Sequence, residues 1–182
     1  MPVPLIGYSQ GGRMALLTAL DHPDLVERLI VISASPGIAG DATRADRRDR
    51  DEALAGHIET VGSEAFLDEW LDGPIAGTGH LADNARRRDR AVRAVNTGSG
   101  LAAALRGLGQ GTQPYVGDRL VELELPLLAI SGSEDPTYTE LAREMADAAP
   151  YGTHVSIDGA GHNVILDAPQ ALISTLTDFV LG

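Results

Sequence analysis

The 182 residues are enough for one domain with a sizeable core, and 43% hydrophobic with 22% charged residues is the balance of a folded globular chain rather than a disordered or fibrous one. With 14 basic against 26 acidic side chains the net charge is −12, which argues against nucleic acid or an anionic membrane as a partner. The absence of cysteine excludes disulfides, thiolate catalysis and the usual structural zinc sites.

Val3–Ile6 is a short apolar run, read as a buried strand, and leads directly into Gly7-Tyr8-Ser9-Gln10-Gly11-Gly12. The N-terminal stretch lacks the basic flank and small-residue cleavage site of a signal peptide, and no apolar run approaches the roughly 20 residues of a bilayer span, so a cytoplasmic location is expected. Arg13–Leu20, rich in Ala and Leu, reads as a helix that stops before Asp21-His22-Pro23. Arg28–Ser33 is a β-branched apolar run of the kind covered on both faces; strand, helix, strand is a parallel βαβ unit.

Nine of the 14 arginines fall between Asp41 and Arg93, on segments with helical spacing such as Leu54, Ile58 and Val61, then Phe66, Leu67, Trp70 and Leu71. They predict an inserted helical cap over 37–116, punctuated by glycine-rich breaks at Gly73–Gly79, Gly98–Gly100 and Gly107–Gly111. Because every basic residue is arginine, an anionic ligand would meet planar guanidinium groups suited to bidentate carboxylate binding. A genome rich in arginine codons, or a solvated helix face, gives the same composition.

The α/β pattern resumes with a strand at Leu125–Ser131, the loop Gly132–Pro136 and a helix over Thr139–Ala149. His154–Ile157 is a short alternating strand ending in Gly159-Ala160-Gly161-His162, and Gln170–Leu181 reads as a closing helix. The layout is a mostly parallel α/β core over 1–36 and 117–182 with the helical cap between, and no internal repeat.

Gly7-Tyr8-Ser9-Gln10-Gly11 satisfies G-x-S-x-G between a strand and a helix, the context a nucleophile elbow requires. A serine hydroxyl needs a general base, and that base an orienting carboxylate, in the chain order serine, acid, histidine. Asp135 and His162 are the candidates, since each follows a predicted strand at the edge where open α/β sheets place their sites. Of the other four histidines, His22 precedes a proline, His57 and His80 lie in the insert, and His154 opens a strand. Glu134 and Asp158 compete for the acid, and Asp135 before Pro136 also suits a plain turn. The Gln10 backbone N–H, at the start of the helix, is placed to stabilise an oxyanion. Arg13, early in that helix where its charge opposes the helix dipole, points to an anion beside the serine, or else extends into solvent.

These residues resemble the 2-succinyl-6-hydroxy-2,4-cyclohexadiene-1-carboxylate synthases of menaquinone biosynthesis, lyases of the α/β-hydrolase superfamily. The resemblance rests on Gly7–Arg13, Ser33-Ala34-Ser35-Pro36-Gly37, Arg47–Asp51, Phe66–Trp70, Leu105-Arg106-Gly107 with Gln113-Pro114, and Gly159–Asn163. It implies that Ser9, with His162 behind it, removes a proton from a substrate carbon and that pyruvate is eliminated from a cyclohexene bearing succinyl, carboxylate and enolpyruvyl groups. On that resemblance Arg13, Arg47 and Arg93 would bind the carboxylates of a small poly-carboxylate substrate, Tyr8 and Trp70 would line the pocket, and Gln113 would add a polar contact. No metal and no organic cofactor is implied.

Members of that family carry strands and helices before the elbow, including a His-Gly-rich loop that supplies the second oxyanion-hole N–H, whereas this chain starts at the elbow strand. The resemblance therefore implies an N-terminally truncated member, with Val3–Ile6 an unpaired edge, weak or absent activity, and a homo-oligomer formed through that edge. Two other readings stand beside it: a serine esterase using the same triad, and an inactive fragment that persists by edge pairing.

Overall fold

In the strand over 26–32, Leu29 and Val31 enter one apolar cluster with Leu16, Leu127 and Met145, while Ile30 and Ile32 enter another with Leu128, Ile130, Val164 and Leu172. A strand with period 2 that buries both sides reads as an unbroken apolar run, which is why this segment is legible as an inner parallel strand. The computed structural model describes residues 1–73, 78 and 81–182; most of the Gly73–Gly79 break, and His80, lie outside them.

The described residues fall into two compact units, Met1–Gly37 with Tyr115–Gly182, and Ile38–Pro114. The first holds strands β1 (Val3–Tyr8), β2 (Val26–Ile32), β3 (Leu127–Gly132) and β4 (Gly152–Ile157), all parallel in the order β1-β2-β3-β4. β2 and β3 are flanked on both sides. β1 pairs with β2 alone, Ile6 opposite Ile30 and Tyr8 opposite Ile32, and at its open edge Val3 and Ile6 are 57% and 48% exposed.

Helix α1 (Gln10–Asp21) supplies Leu16 and Ala19 to the first apolar cluster. The second unit is helical: α2 (Asp41–Val61), α3 (Ser63–Leu71), α4 (Asp83–Arg93) and α5 (Gly98–Leu108). Ala55, Ile58, Leu67 and Ala102 are its buried apolar side chains among those described, and α4 buries none. Two of the expected breaks mark the ends of α5. Gly98–Gly100 is the first turn of α5, capped by the Thr97 hydroxyl accepting from Gly100 N–H, and Gly107 is helical, the helix ending at Gly109.

Returning to the sheet, α6 (Pro136–Ala148) packs Ala142, Met145 and Ala146 on the same face as α1. The one-turn α7 (Val164–Asp167) and α8 (Pro169–Leu181) cover the other face through Val164 and Leu172. Proline stands at the first position of both α6 and α8, where its missing N–H costs no bond. No described helix is long and apolar enough to cross a membrane.

Candidate active site

β1 passes into α1 through Ser9, whose backbone sits at φ 49° and ψ −113°. For a residue with a Cβ this is a strained conformation, held here because Ser9 N–H donates to the Ile32 carbonyl at 2.8 Å and Arg13 N–H donates to the Ser9 carbonyl at 3.1 Å. A Cβ on Gly7 would lie 2.4 Å from the Gly11 carbonyl oxygen, and one on Gly12 2.6 Å from the Ala34 Cβ. Gly11, the second glycine of the motif, faces open space. The tight turn thus depends on Gly7 and Gly12, the latter outside the five-residue pattern.

The elbow presents the Ser9 hydroxyl 3.2 Å from His162 Nε2, and His162 Nδ1 lies 2.8 Å from Asp135 Oδ2. The carboxylate accepts the Nδ1 proton, so Nε2 is the acceptor for the serine O–H. His162 and Asp135 are largely buried, their side chains 6% and 14% exposed. Asp135 is also the N-cap of α6, its Oδ1 accepting from Tyr138 N–H at 3.2 Å. Glu134 and Asp158, the competing acids, are not the group on the imidazole.

Two tyrosines frame the imidazole: Tyr138 meets it edge-on at 4.4 Å between ring centroids, and Tyr8 lies tilted at 5.8 Å. Tyr138 was not evident from sequence, because it reaches the histidine only through the cap that Asp135 makes. The first backbone bond of α1 runs from Arg13, so the N–H groups of Gln10, Gly11 and Gly12 stand at the open end of the helix with no carbonyl inside it to meet them. That end, beside Ser9, is where a developing oxyanion is favoured. Arg13 is buried at 7% exposure, which removes the alternative of a side chain extended into solvent.

The remaining candidates lie in the helical unit. Arg47 donates from Nε to Asp51 Oδ1 at 2.8 Å and from Nη1 to the Gln110 side-chain oxygen; Arg93 donates from Nε to Asp89 Oδ2 at 2.8 Å. Both Nη groups of Arg93 are therefore unengaged among the described residues. Trp70 stacks obliquely on Phe66 at 5.9 Å, and Gln113 is buried. A cavity of about 440 Å³ opens in this unit beside Asp68, Arg86, Arg87 and Arg90, and none of Ser9, Asp135 or His162 lines it. Two other histidines are accounted for: His57 Nε2 meets Glu69 at 2.7 Å, and His154 Nε2 meets the Ser131 hydroxyl at 3.0 Å, with burial pushing its pKa down.

A model of the alpha/beta hydrolase family matches residues 4–175. The chain belongs to that family. Within it the chain is 34% identical over 179 residues to a Bacillus subtilis (strain 168) protein assigned as 2-succinyl-6-hydroxy-2,4-cyclohexadiene-1-carboxylate synthase, covering 98% of this chain and 65% of that one. It is 30% identical to the synthase of that name from Escherichia coli O1:K1, covering 97% and 67%. Among solved structures, MenH from S. aureus superposes with a TM-score of 0.95 at 29% identity, over 99% of this chain and 68% of that one. A thermophilic esterase from Thermogutta terrifontis reaches 0.84 at 22% identity, over 99% and 65%, a likeness of fold. The chain spans about two thirds of the length of the curated relatives it matches.

Proposed function

We propose that this chain carries out a cytoplasmic step of menaquinone biosynthesis, eliminating pyruvate from 2-succinyl-5-enolpyruvyl-6-hydroxy-3-cyclohexene-1-carboxylate, with Ser9, His162 and Asp135 acting together as a base. The observation that carries the reading is the gap between likenesses: 0.95 and 29% identity to MenH, against 0.84 and 22% to an esterase of the same fold. In the reaction Nε2 of His162 takes the Ser9 hydroxyl proton as the serine oxygen removes the ring proton next to the succinyl carbonyl. The electron pair moves onto that carbonyl oxygen, where the Gln10 N–H stabilises it. Its return through the ring breaks the C–O bond to the enolpyruvyl group, and the departing enolate takes up one proton to become pyruvate. No water is consumed and no acyl-serine forms. Arg13, Arg47 and Arg93 hold the substrate carboxylates, Tyr8 and Trp70 the ring, and Gln113 a polar group.

A serine esterase is the second reading, because the Ser9–His162–Asp135 chain suits acyl transfer equally well. The decisive assay couples pyruvate release to lactate dehydrogenase and runs p-nitrophenyl esters beside it. Pyruvate formation that disappears in Ser9→Ala supports the lyase. Rapid ester turnover with a burst of p-nitrophenolate and no pyruvate overturns it.

A further inference from the structure

We infer that Asp167 is a positioning residue for His162, acting through the backbone of Gly161, an assignment that rests on the Ser9–His162–Asp135 reading. The loop Gly159–His162 has little rigidity of its own: two of its four residues are glycine, and Gly159 adopts φ 67°. Hydrogen bonds fix it instead. On the side of β3, Glu134 N–H donates to the Ala160 carbonyl at 2.9 Å, and Gly159 N–H donates to the exposed Ser133 hydroxyl at 2.9 Å. On the other side, Gly161 N–H donates to Asp167 Oδ2 at 2.9 Å.

The bond from Gly161 is the side-chain anchor nearest the imidazole, one residue before it, and its acceptor is a carboxylate, which makes it stronger than a neutral pair. Asp167 reaches back because α7 turns immediately after the histidine, its Leu166 and Asp167 N–H groups both donating to the Asn163 carbonyl. The carboxylate therefore closes a ring of chain around His162, from Gly161 through α7. The geometry at stake has little slack. Ser9 Oγ to His162 Nε2 is already 3.2 Å, near the long end of a useful hydrogen bond, so a shift of a few tenths of an ångström in the loop breaks it. Asp167 is not one of Ser9, His162 and Asp135, and through Gly161 its effect is on where the imidazole sits.

The test measures the rate at which a fluorophosphonate modifies Ser9 in the 182-residue chain, together with the imidazole NMR signals of His162. Asp167→Ala is expected to slow modification at least tenfold and to shift or broaden the Nδ1 proton signal. Asp167→Asn, which keeps an oxygen acceptor, is expected to stay within about threefold of the parent. A folded Asp167→Ala with the parent's modification rate and His162 signals overturns the inference, even if its melting temperature falls. Should Asp167→Ala fail to fold, Asp167→Glu, which moves the carboxylate by one methylene, takes its place with the same two outcomes. If the parent chain itself does not react with the probe, the base reading of Ser9 fails, and the His162 signals alone decide whether Asp167 holds the ring.

Discussion

Replacing Gly12 by alanine separates the glycine the consensus names from the one the structure needs. The added Cβ would sit 2.6 Å from the Ala34 Cβ and 3.0 Å from the Gly7 carbonyl oxygen, about 1 Å inside the 3.5–4.0 Å at which carbon atoms rest against each other. Neither neighbour is the far end of a flexible side chain, so α1 must move off the sheet and carry Ser9 with it. Overpacking of this kind costs about 1–3 kcal/mol, a fall of roughly 2–12 °C in Tm for a chain of this size. A displacement of the Ser9 hydroxyl approaching 1 Å is expected to lower kcat by about 10²-fold. Gly11→Ala is the control: nothing lies within 4 Å of its Cβ, and alanine favours the helix by up to about 1 kcal/mol, so Tm is expected to hold or rise. Thermal unfolding and pyruvate release on both variants check the pair. An active Gly12→Ala with unchanged Tm, or a Gly11→Ala that loses as much stability as Gly12→Ala, refutes the argument.

Ser9→Ala is expected to lower pyruvate release at least 10³-fold with the circular dichroism spectrum and Tm kept, whereas unaltered turnover would reduce the elbow to a structural turn. Arg93→Ala is expected to raise KM by about 10- to 150-fold from the loss of roughly 1.5–3 kcal/mol of charge-assisted bonding, with Arg93→Lys only a partial rescue, and to lower Tm because it strips the pair from Asp89, whose side chain is 10% exposed. Arg47→Ala is expected to lower Tm for the same reason, since it strips the pair from Asp51, whose side chain is only 6% exposed. His154 has its pKa lowered by burial below its ordinary 6.5, so the unfolded chain takes up the proton first and stability is lost as pH falls below about 6.5; His154→Gln is expected to flatten that part of a stability–pH curve, and an unchanged slope would refute the assignment. The open edge of β1 is expected to make the 182-residue chain a dimer at micromolar concentration, and a sedimenting monomer unaffected by Ile6→Lys would show that this edge does not pair.

Much of the α/β core was legible because its signals are local. Leu29 to Ile32 and Leu127 to Ile130 are apolar at every position, which only a strand covered on both faces requires, while Ser9 directly follows β1, and Asp135 and His162 lie in the loops after β3 and β4. The helical unit was legible only in outline. α4 buries no residue, so its composition carries no periodic apolar face, and Asp51 looks like one more acid in a charged run although it is buried. Gly12, Tyr138 and Asp167 escaped for a shared reason: each acts across space on a partner set by the turn it sits in, Ala34 across the sheet end, His162 beyond the α6 cap, and Gly161 across α7. The glycine stretches marked the ends of α5, which begins at Gly98 and closes at Leu108 with Gly109 as its cap.

The order of the strands explains why the histidine loop needs so much anchoring. Ser9 leaves β1 and His162 follows β4, three strands apart, which at the usual spacing is about 14 Å along the sheet. The imidazole meets the serine only if the chain leaving β4 folds back over the end of β3. The trace of that crossing is at Gly132, the last residue of β3, where a Cβ would lie 2.2 Å from the carbonyl oxygens of both Ala160 and Gly161. Asp135, three residues further on, then stands beneath the returning loop, so the acid that orients the imidazole comes from the same strand the loop must cross. A side chain at Gly132 would lift the histidine away from both partners at once. The parallel order therefore fixes more than where the three residues lie: it requires a glycine at the crossing and a clamp on the far side of the loop, the places taken by Gly132 and Asp167.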